Sequence, residues 1–70
     1  MTRNKVYRIV KRNSMITRKG ILEKLGSDDM EVLKAILYNL RESGKIELTA
    51  AIDDNGKFHG CGYRKARRNV

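Results

Sequence analysis

The sequence predicts an α+β fold of three helices followed by a two-stranded β-hairpin, and three observations support that prediction. Apolar residues recur at helical spacing over residues 3–43. From Ile46 to Asp53 apolar and polar residues instead alternate, which is the period of a half-buried strand. Asp54-Asn55-Gly56 follows at once and is a strong signal for a turn into a second strand.

The three helices are bounded by residues that favour helix ends. Thr2, Thr17 and Ser27 each suit an N-cap, because a side-chain oxygen there can accept a bond from a free backbone N–H. Gly26 and Gly44 suit C-terminal stops. The predicted helices are Arg3–Arg12, Arg18–Leu25 and a third from Ser27 to about Ser43. Their predicted buried faces are Val6, Ile9 and Val10; Ile21, Leu22 and Leu25; and Met30, Leu33, Ile36, Leu37 and Leu40.

The strands are predicted in three places. Met15-Ile16 is a short apolar step that suits a small strand, and residues 46–53 form the first strand of the hairpin with Ile46, Leu48, Ala50 and Ile52 on its buried face. Residues 57–64 form the return strand, where Gly60 and Gly62 predict a bulge. The folded domain is therefore expected to span residues 1–64, with a basic tail over 65–70.

Length and composition limit the class of protein. Seventy residues make one domain with a thin core. The one cysteine, Cys61, cannot form an internal disulfide. No apolar run is long enough to span a bilayer, and the charged N-terminal segment does not resemble a signal peptide. We expect a soluble cytoplasmic protein that does not engage a membrane.

The positive charge lies at the two ends of the chain. The net charge is +8, which for this length indicates a polyanionic partner. Residues 1–26 carry eight basic residues and one acidic, residues 27–56 three basic and seven acidic, and residues 57–70 five basic and none acidic. This segregation favours a nucleic-acid surface over a generally basic, solvated exterior.

The order of elements, with a Gly-Ser turn between two helices and a hairpin directly after the third, is the winged helix-turn-helix arrangement. Residues 16–66 resemble the small winged helix-turn-helix proteins of bacterial, phage and plasmid regulation, most clearly in ILYNLRESGKIEL, residues 36–48. The resemblance implies a DNA-binding transcriptional regulator in which the third helix and the wing contact DNA.

Three groups of residues are candidates for contact with double-stranded DNA. On the third helix, donors near the free face would reach base edges. In the first turn of the second helix, two cations oppose the helix dipole and so favour a bound phosphate, although two solvated charges explain them equally well. A basic wing and tail suit phosphate contact. The candidates are, in that order, Lys34, Tyr38 and Arg41; Arg18 and Lys19; and Lys57, His59, Arg64, Lys65, Arg67 and Arg68.

Other residues favour structural roles. Lys5, Arg8 and Arg12 on the first helix are expected to be solvated. Tyr63 is expected to pack in the core or anchor the wing rather than stack on bases. His59 and Cys61 are too few to form a zinc site, and the chain has no set of nucleophile, base and acid. We therefore expect no enzyme activity, metal, cofactor or small-molecule substrate.

A second class of function stays open. Asp28, Asp29 and Glu31 at the start of the third helix would be repelled by phosphates and would suit a basic protein groove. The alternative is thus a protein-interaction module, or a small phage-type inhibitor that binds a host protein. RNA is a further possible target. A homodimer, formed through the first helix, the wing or the tail, or a larger protein partner is compatible with each of these functions.

Overall fold

A computed structural model describes residues 1–67, except for the side chain of His59. It contains, in order, three helices and two strands: α1 (Arg3–Arg12), α2 (Arg18–Leu25), α3 (Met30–Glu42), β1 (Ile46–Ile52) and β2 (Phe58–Lys65). The predicted α+β fold is confirmed, and its layout is that of a winged helix.

Both of the first two helices begin and end where the sequence predicts. The hydroxyl of Thr2 accepts the N–H of Lys5 at 3.2 Å, and that of Thr17 accepts the N–H of Gly20 at 3.1 Å. Each threonine has extended backbone angles, as an N-cap requires. Gly26 ends α2 in the left-handed region at φ 68°, a conformation that favours glycine.

The predicted start of α3 is wrong by two residues. The sequence predicts Ser27 as its cap, but the N-cap is Asp29, whose carboxylate accepts the N–H of Val32 at 3.2 Å. The backbone N–H of Ser27 is committed to the carbonyl of Leu22 at 3.1 Å and so still closes α2. The hydroxyl of Ser27 accepts the N–H of Asp29 at 3.2 Å, in a turn that precedes the helix, so Ser27 does not cap α3 and the helix begins later.

The core lies where the helices meet the base of the hairpin. The residues that form it are Val6 and Val10 from α1, Ile21 and Leu22 from α2, Leu33, Leu37 and Leu40 from α3, Ile46 from β1 and Tyr63 from β2. All three predicted helix faces are buried or packed against this cluster. Tyr63 is only 3% exposed, which confirms the expectation that it packs in the core.

The hairpin is joined to the first third of the chain by a short bridge. Ile16 pairs with Tyr63, so the predicted Met15-Ile16 strand exists as a single bridge on the far edge of β2. A Cβ on Gly62 would lie 2.7 Å from the carbonyl carbon of Met15 and 3.1 Å from the carbonyl oxygen of Ile16. Glycine at position 62 therefore permits this close approach of two backbones.

The predicted buried face of β1 is only partly correct. Ile46 is buried, but Leu48 and Ile52 are 41% and 47% exposed, and Ala51 is buried instead of Ala50. Every residue from 52 to 58 is exposed, so the hairpin extends beyond the helices. Ala50 pairs with Cys61 and Ile52 with Phe58, so Ala51 opposes two residues of β2. The predicted bulge is thus present, with Gly60 at φ 100°, and it changes which side chains turn inward.

The C-terminal end of the hairpin differs slightly from the prediction. Lys65, which the sequence places in the tail, belongs to β2 and pairs with Ile46. The N–H of Ala66 donates to the carbonyl of Lys45 at 3.0 Å. Within residues 1–67, no helix has the length and hydropathy that a membrane span requires.

Candidate nucleic-acid interface

A groove between α3, the start of α2 and β2 brings together four of the predicted contact residues. Its lining residues are Arg18, Lys34, Leu37, Tyr38, Arg41 and Tyr63. Arg18 also lines an adjoining groove with Lys19, Thr17 and Cys61. The candidates on α2 and α3, which the sequence presents as separate groups, thus form one surface; we call it the α2–α3 groove, comprising Arg18, Lys19, Lys34, Tyr38 and Arg41.

The α3 side of this groove follows from helical spacing. Lys34, Tyr38 and Arg41 lie four and three residues apart, so they form one stripe along the helix. Leu33, Leu37 and Leu40 hold the other side of α3 in the core. Tyr38 is 63% exposed, which leaves most of its ring available to a ligand.

Arg18 is positioned by a residue of the core. Its Nε donates to the hydroxyl of Tyr63 at 3.1 Å. This hydrogen bond raises the pKa of the Arg18 guanidinium above its ordinary value, and the group is charged at any physiological pH. Because the ring of Tyr63 is buried, its hydroxyl is a fixed acceptor. Arg18 lines the groove, and its remaining N–H groups are donors that an anionic ligand there could use.

The beginning of α2 adds a second source of positive potential. Arg18 and Lys19 occupy its first turn, and no acidic residue accompanies them there. The free backbone N–H groups at a helix start carry the positive end of the helix dipole. Side-chain and backbone charge therefore have the same sign at this end of the groove.

The acidic residues at the start of α3 are partly explained by local structure. Asp29 serves as the N-cap, and Glu31 lies 4.0 Å from Lys34 with its side chain 88% exposed. Lys34 is 50% exposed, so this ion pair is solvated and weak. Glu31 does not line the groove, while Lys34 does.

The wing and tail candidates that the structure describes do not line the α2–α3 groove. Arg64 is engaged by Glu47 on the neighbouring strand, with 2.7 Å between its Nε and the carboxylate. Lys57 is exposed beside the turn, and Lys65 and Arg67 are exposed at the other end of the hairpin. Arg68 and the side chain of His59 lie outside the described part of the chain.

The charged face of α1 is exposed, as the sequence predicts. Lys5, Arg8 and Arg12 are all solvent-accessible and line none of the grooves described above. Tyr7 makes cation–π contacts with two other residues: the ammonium groups of Lys11 and Lys45 each lie 5.6 Å from its ring centroid.

Sequence reasoning missed how Tyr63, Leu37 and Cys61 contribute to the site. Tyr63 and Arg18 are 45 positions apart, so no local pattern relates them. Cys61 is exposed and lines the groove at the start of α2. Its neighbours there are the cations Arg18 and Lys19 and the hydroxyl residues Thr17 and Tyr63. Among the side chains that the structure describes, Cys, Asp and Glu nowhere cluster in threes that could hold a metal ion.

Comparison with known proteins adds no assignment to this geometry. No model of a protein family matches the chain, and no curated protein sequence matches it. The fold and the α2–α3 groove are therefore the basis of the functional argument.

Proposed function

We propose that this protein is a DNA-binding transcriptional regulator of the winged helix-turn-helix type and has no enzymatic role. The observation that carries the proposal is the α2–α3 groove. Arg18, Lys34 and Arg41 approach it from two helices, with the exposed ring of Tyr38 between them. No acidic side chain is among its lining residues within the described part of the chain.

The chemistry of the groove suits a duplex. Two arginines can bind phosphate or guanine through paired N–H groups, and Lys34 supplies a point charge. The start of α2 offers backbone N–H groups to a phosphate beside Arg18 and Lys19. The exposed stripe of α3 is the element that would face base edges in the major groove. Lys57, Lys65 and Arg67 would add phosphate contacts from the wing side.

The competing function is docking to a basic protein surface through the start of α3. Asp28 and Glu31 are exposed there. Asp29 is accounted for by capping, which weakens the case that this acidity exists for a partner. RNA remains the other nucleic-acid target that a basic groove could hold.

The proposal is tested by fluorescence anisotropy with a random-sequence DNA duplex across a salt series. The key variant carries Lys34→Ala and Arg41→Ala. Its matched control carries Lys5→Ala and Arg8→Ala, which removes the same charge from α1. We expect the wild-type affinity to fall steeply with salt. In the key variant, the slope of the logarithm of the binding constant against the logarithm of the salt concentration should become shallower by about 0.9 for each phosphate that is no longer neutralised. The control should change the slope less.

Competition experiments separate the remaining functions. An RNA duplex and single-stranded DNA that compete better than duplex DNA would redirect the proposal to those ligands. An absence of binding at low salt would refute nucleic-acid binding for a protein of net charge +8. In that case Asp28→Lys and Glu31→Lys, assayed against captured protein partners, become the informative variants.

A further inference from the structure

In the part of the chain that the structure describes, the outer edge of β1 has no paired strand. Within residues 1–67 the sheet has two strands, and β1 is paired on one side only, with β2. The far edge of β2, in contrast, is partly covered by the bridge from Ile16 to Tyr63. An open edge presents a row of backbone donors and acceptors to which another strand can add.

The hydrogen bonds of Tyr63 show which β1 residues present these groups. The N–H of Tyr63 donates to Ile16 at 2.8 Å, and its carbonyl accepts the N–H of Met15 at 3.0 Å. Both groups thus point away from β1, so Tyr63 and its partner Leu48 form a non-hydrogen-bonded pair. The N–H and carbonyl of Leu48 must then face the open edge, and by alternation so do those of Ile46 and Ala50.

We propose that this edge pairs with β1 of a second copy of the chain, antiparallel and centred on Thr49. That register joins Leu48 to Ala50 of the second copy and Ile46 to Ile52. The outward-facing residues Ile46, Leu48 and Ala50 fall on hydrogen-bonding positions in it, as an antiparallel ladder requires. Two hairpins would become one four-stranded sheet, which is more stable than either isolated hairpin.

Charge favours a second copy in this register. Lys45 directly precedes β1 and Asp53 directly follows it, so centring on Thr49 places each Lys45 opposite Asp53 of the second copy. Both residues are exposed. Their side chains also have contacts within the chain: the Asp53 carboxylate accepts the N–H groups of Asn55 and Lys57, and the Lys45 ammonium lies 5.6 Å from the ring centroid of Tyr7. The strand itself carries one charged residue, Glu47, which is paired with Arg64. On a protein of net charge +8, this edge is therefore a surface where two copies attract rather than repel each other.

Shape supports the same register. A groove beside the first half of β1 is lined by Tyr38, Arg41, Glu42, Ile46, Glu47 and Leu48. In the proposed pair, Ile52 of the second copy lies opposite Ile46 on the same face of the sheet, at this groove. The pairing would thus cover Leu48 and Ile52, which are 41% and 47% exposed in the single chain.

The first test is sedimentation velocity of the full chain over a wide concentration range, without nucleic acid. We expect a reversible monomer–dimer equilibrium. Lys45→Glu should weaken dimerisation about tenfold or more, because it sets two like charges opposite each other at both ends of the interface. The matched control Lys57→Glu makes the same change in charge at the turn and should leave the dissociation constant within about twofold.

The second test addresses the register and does not depend on affinity alone. In a Cys61→Ser background, Thr49→Cys should give a disulfide-linked dimer on mild oxidation, because the two central residues of a non-hydrogen-bonded pair lie within disulfide reach. Lys57→Cys in the same background should cross-link far more slowly. Leu48→Cys distinguishes the next allowed register, in which Leu48 would lie opposite itself.

Three results would overturn the proposal. One is a monomer at every concentration, and another is equal weakening by Lys45→Glu and Lys57→Glu. The third is cross-linking through position 48 or 57 at least as fast as through position 49. Because these measurements use protein alone, a failure of DNA binding would not affect their outcome.

Discussion

The hydrogen bond between Arg18 and Tyr63 links a surface cation to the core. A solvated arginine samples many rotamers, and binding a ligand must then restrict them at an entropic cost. The buried acceptor removes part of that freedom before a ligand arrives. Tyr63 would therefore contribute to the proposed binding of DNA although its ring does not face the solvent.

Tyr63→Phe tests this role. The ring stays in the core, so we expect the free energy of unfolding to fall by about 1 kcal/mol or less in urea denaturation. Duplex DNA affinity should fall about threefold to tenfold by fluorescence anisotropy, because the guanidinium of Arg18 is no longer held at the groove. Tyr7→Phe is the control, since it also removes one phenolic hydroxyl. Equal affinities for the two variants would contradict a positioning role for Tyr63.

Single residues also mark the limit of what the sequence can predict. Exposure of Tyr38, Lys34 and Arg41 follows from helical spacing, and the core position of Tyr63 agrees with expectation. The pairing of Arg64 with Glu47 is not predictable in this way, because it depends on the register across two strands. A sequence contains the charges, whereas only the fold shows which of them already have partners.

Among the helices, α2 combines a good cap with unfavourable charges. Thr17 stabilises its start, while Arg18 and Lys19 oppose its dipole. A helix selected for stability alone would carry an acidic residue at position 19. The cations are consistent with a helix whose start is adapted to an anionic ligand.

Lys19→Glu should therefore separate stability from binding. We expect a gain of about 0.5–1 kcal/mol in the free energy of unfolding, measured by urea denaturation, and a clear decrease in affinity for duplex DNA. Lys24→Glu is the control, and its expected effect on the free energy of unfolding has the opposite sign. Lys24 lies in the last turn of α2, where a negative charge is unfavourable. If Lys19→Glu kept full affinity, the two first-turn cations would be solvated charges without a ligand.

Element boundaries are predictable wherever one local signal decides them. Both ends of α2 and the bounds of α1 follow from their caps. The start of α3 does not, because Ser27 resembles a cap but closes the preceding helix. The buried face of β1 is also only partly predictable, since the bulge and the reach of the hairpin beyond the helices depend on tertiary structure.

For the molecule as a whole, one small core supports every element. Leu37 is 1% exposed and belongs to the core cluster, and it also lines the α2–α3 groove. A domain of this size has little stability to lose. We therefore expect the core and the candidate binding surface to unfold as one cooperative unit.

Leu37→Ala should show this dependence. We expect the free energy of unfolding to fall by about 2–5 kcal/mol, enough to unfold much of the protein near physiological temperature, as measured by circular dichroism during heating. Val32→Ala on the same helix is the control, because Val32 is 41% exposed and should cost far less. Similar decreases for both variants would mean that the core is more loosely packed than the structure shows.

Assembly of the candidate site is the least predictable feature. The sequence places Arg18 and Lys19 in one group and Lys34, Tyr38 and Arg41 in another. Their union into a groove depends on how α2 and α3 cross, and on Tyr63 from the far end of the fold. Lys57, Arg64, Lys65 and Arg67, which local charge density makes equally attractive, do not line that groove.

The bridge between Ile16 and Tyr63 has a consequence for folding during synthesis. The core residues lie far apart in the sequence, from Val6 to Tyr63, so contacts between residues close in sequence cannot form the whole core. While a ribosome is still making β2, the helices have been translated but the apolar face they share lacks its cover. Val6, Ile21 and Leu40 share one buried cluster with Tyr63, so we expect them to be incompletely buried, and open to chaperones and proteases, until Tyr63 emerges and docks against Ile16. Chains ending before and after residue 63, each held on the ribosome by the same long linker, would show protection from brief proteolysis only in the longer chain.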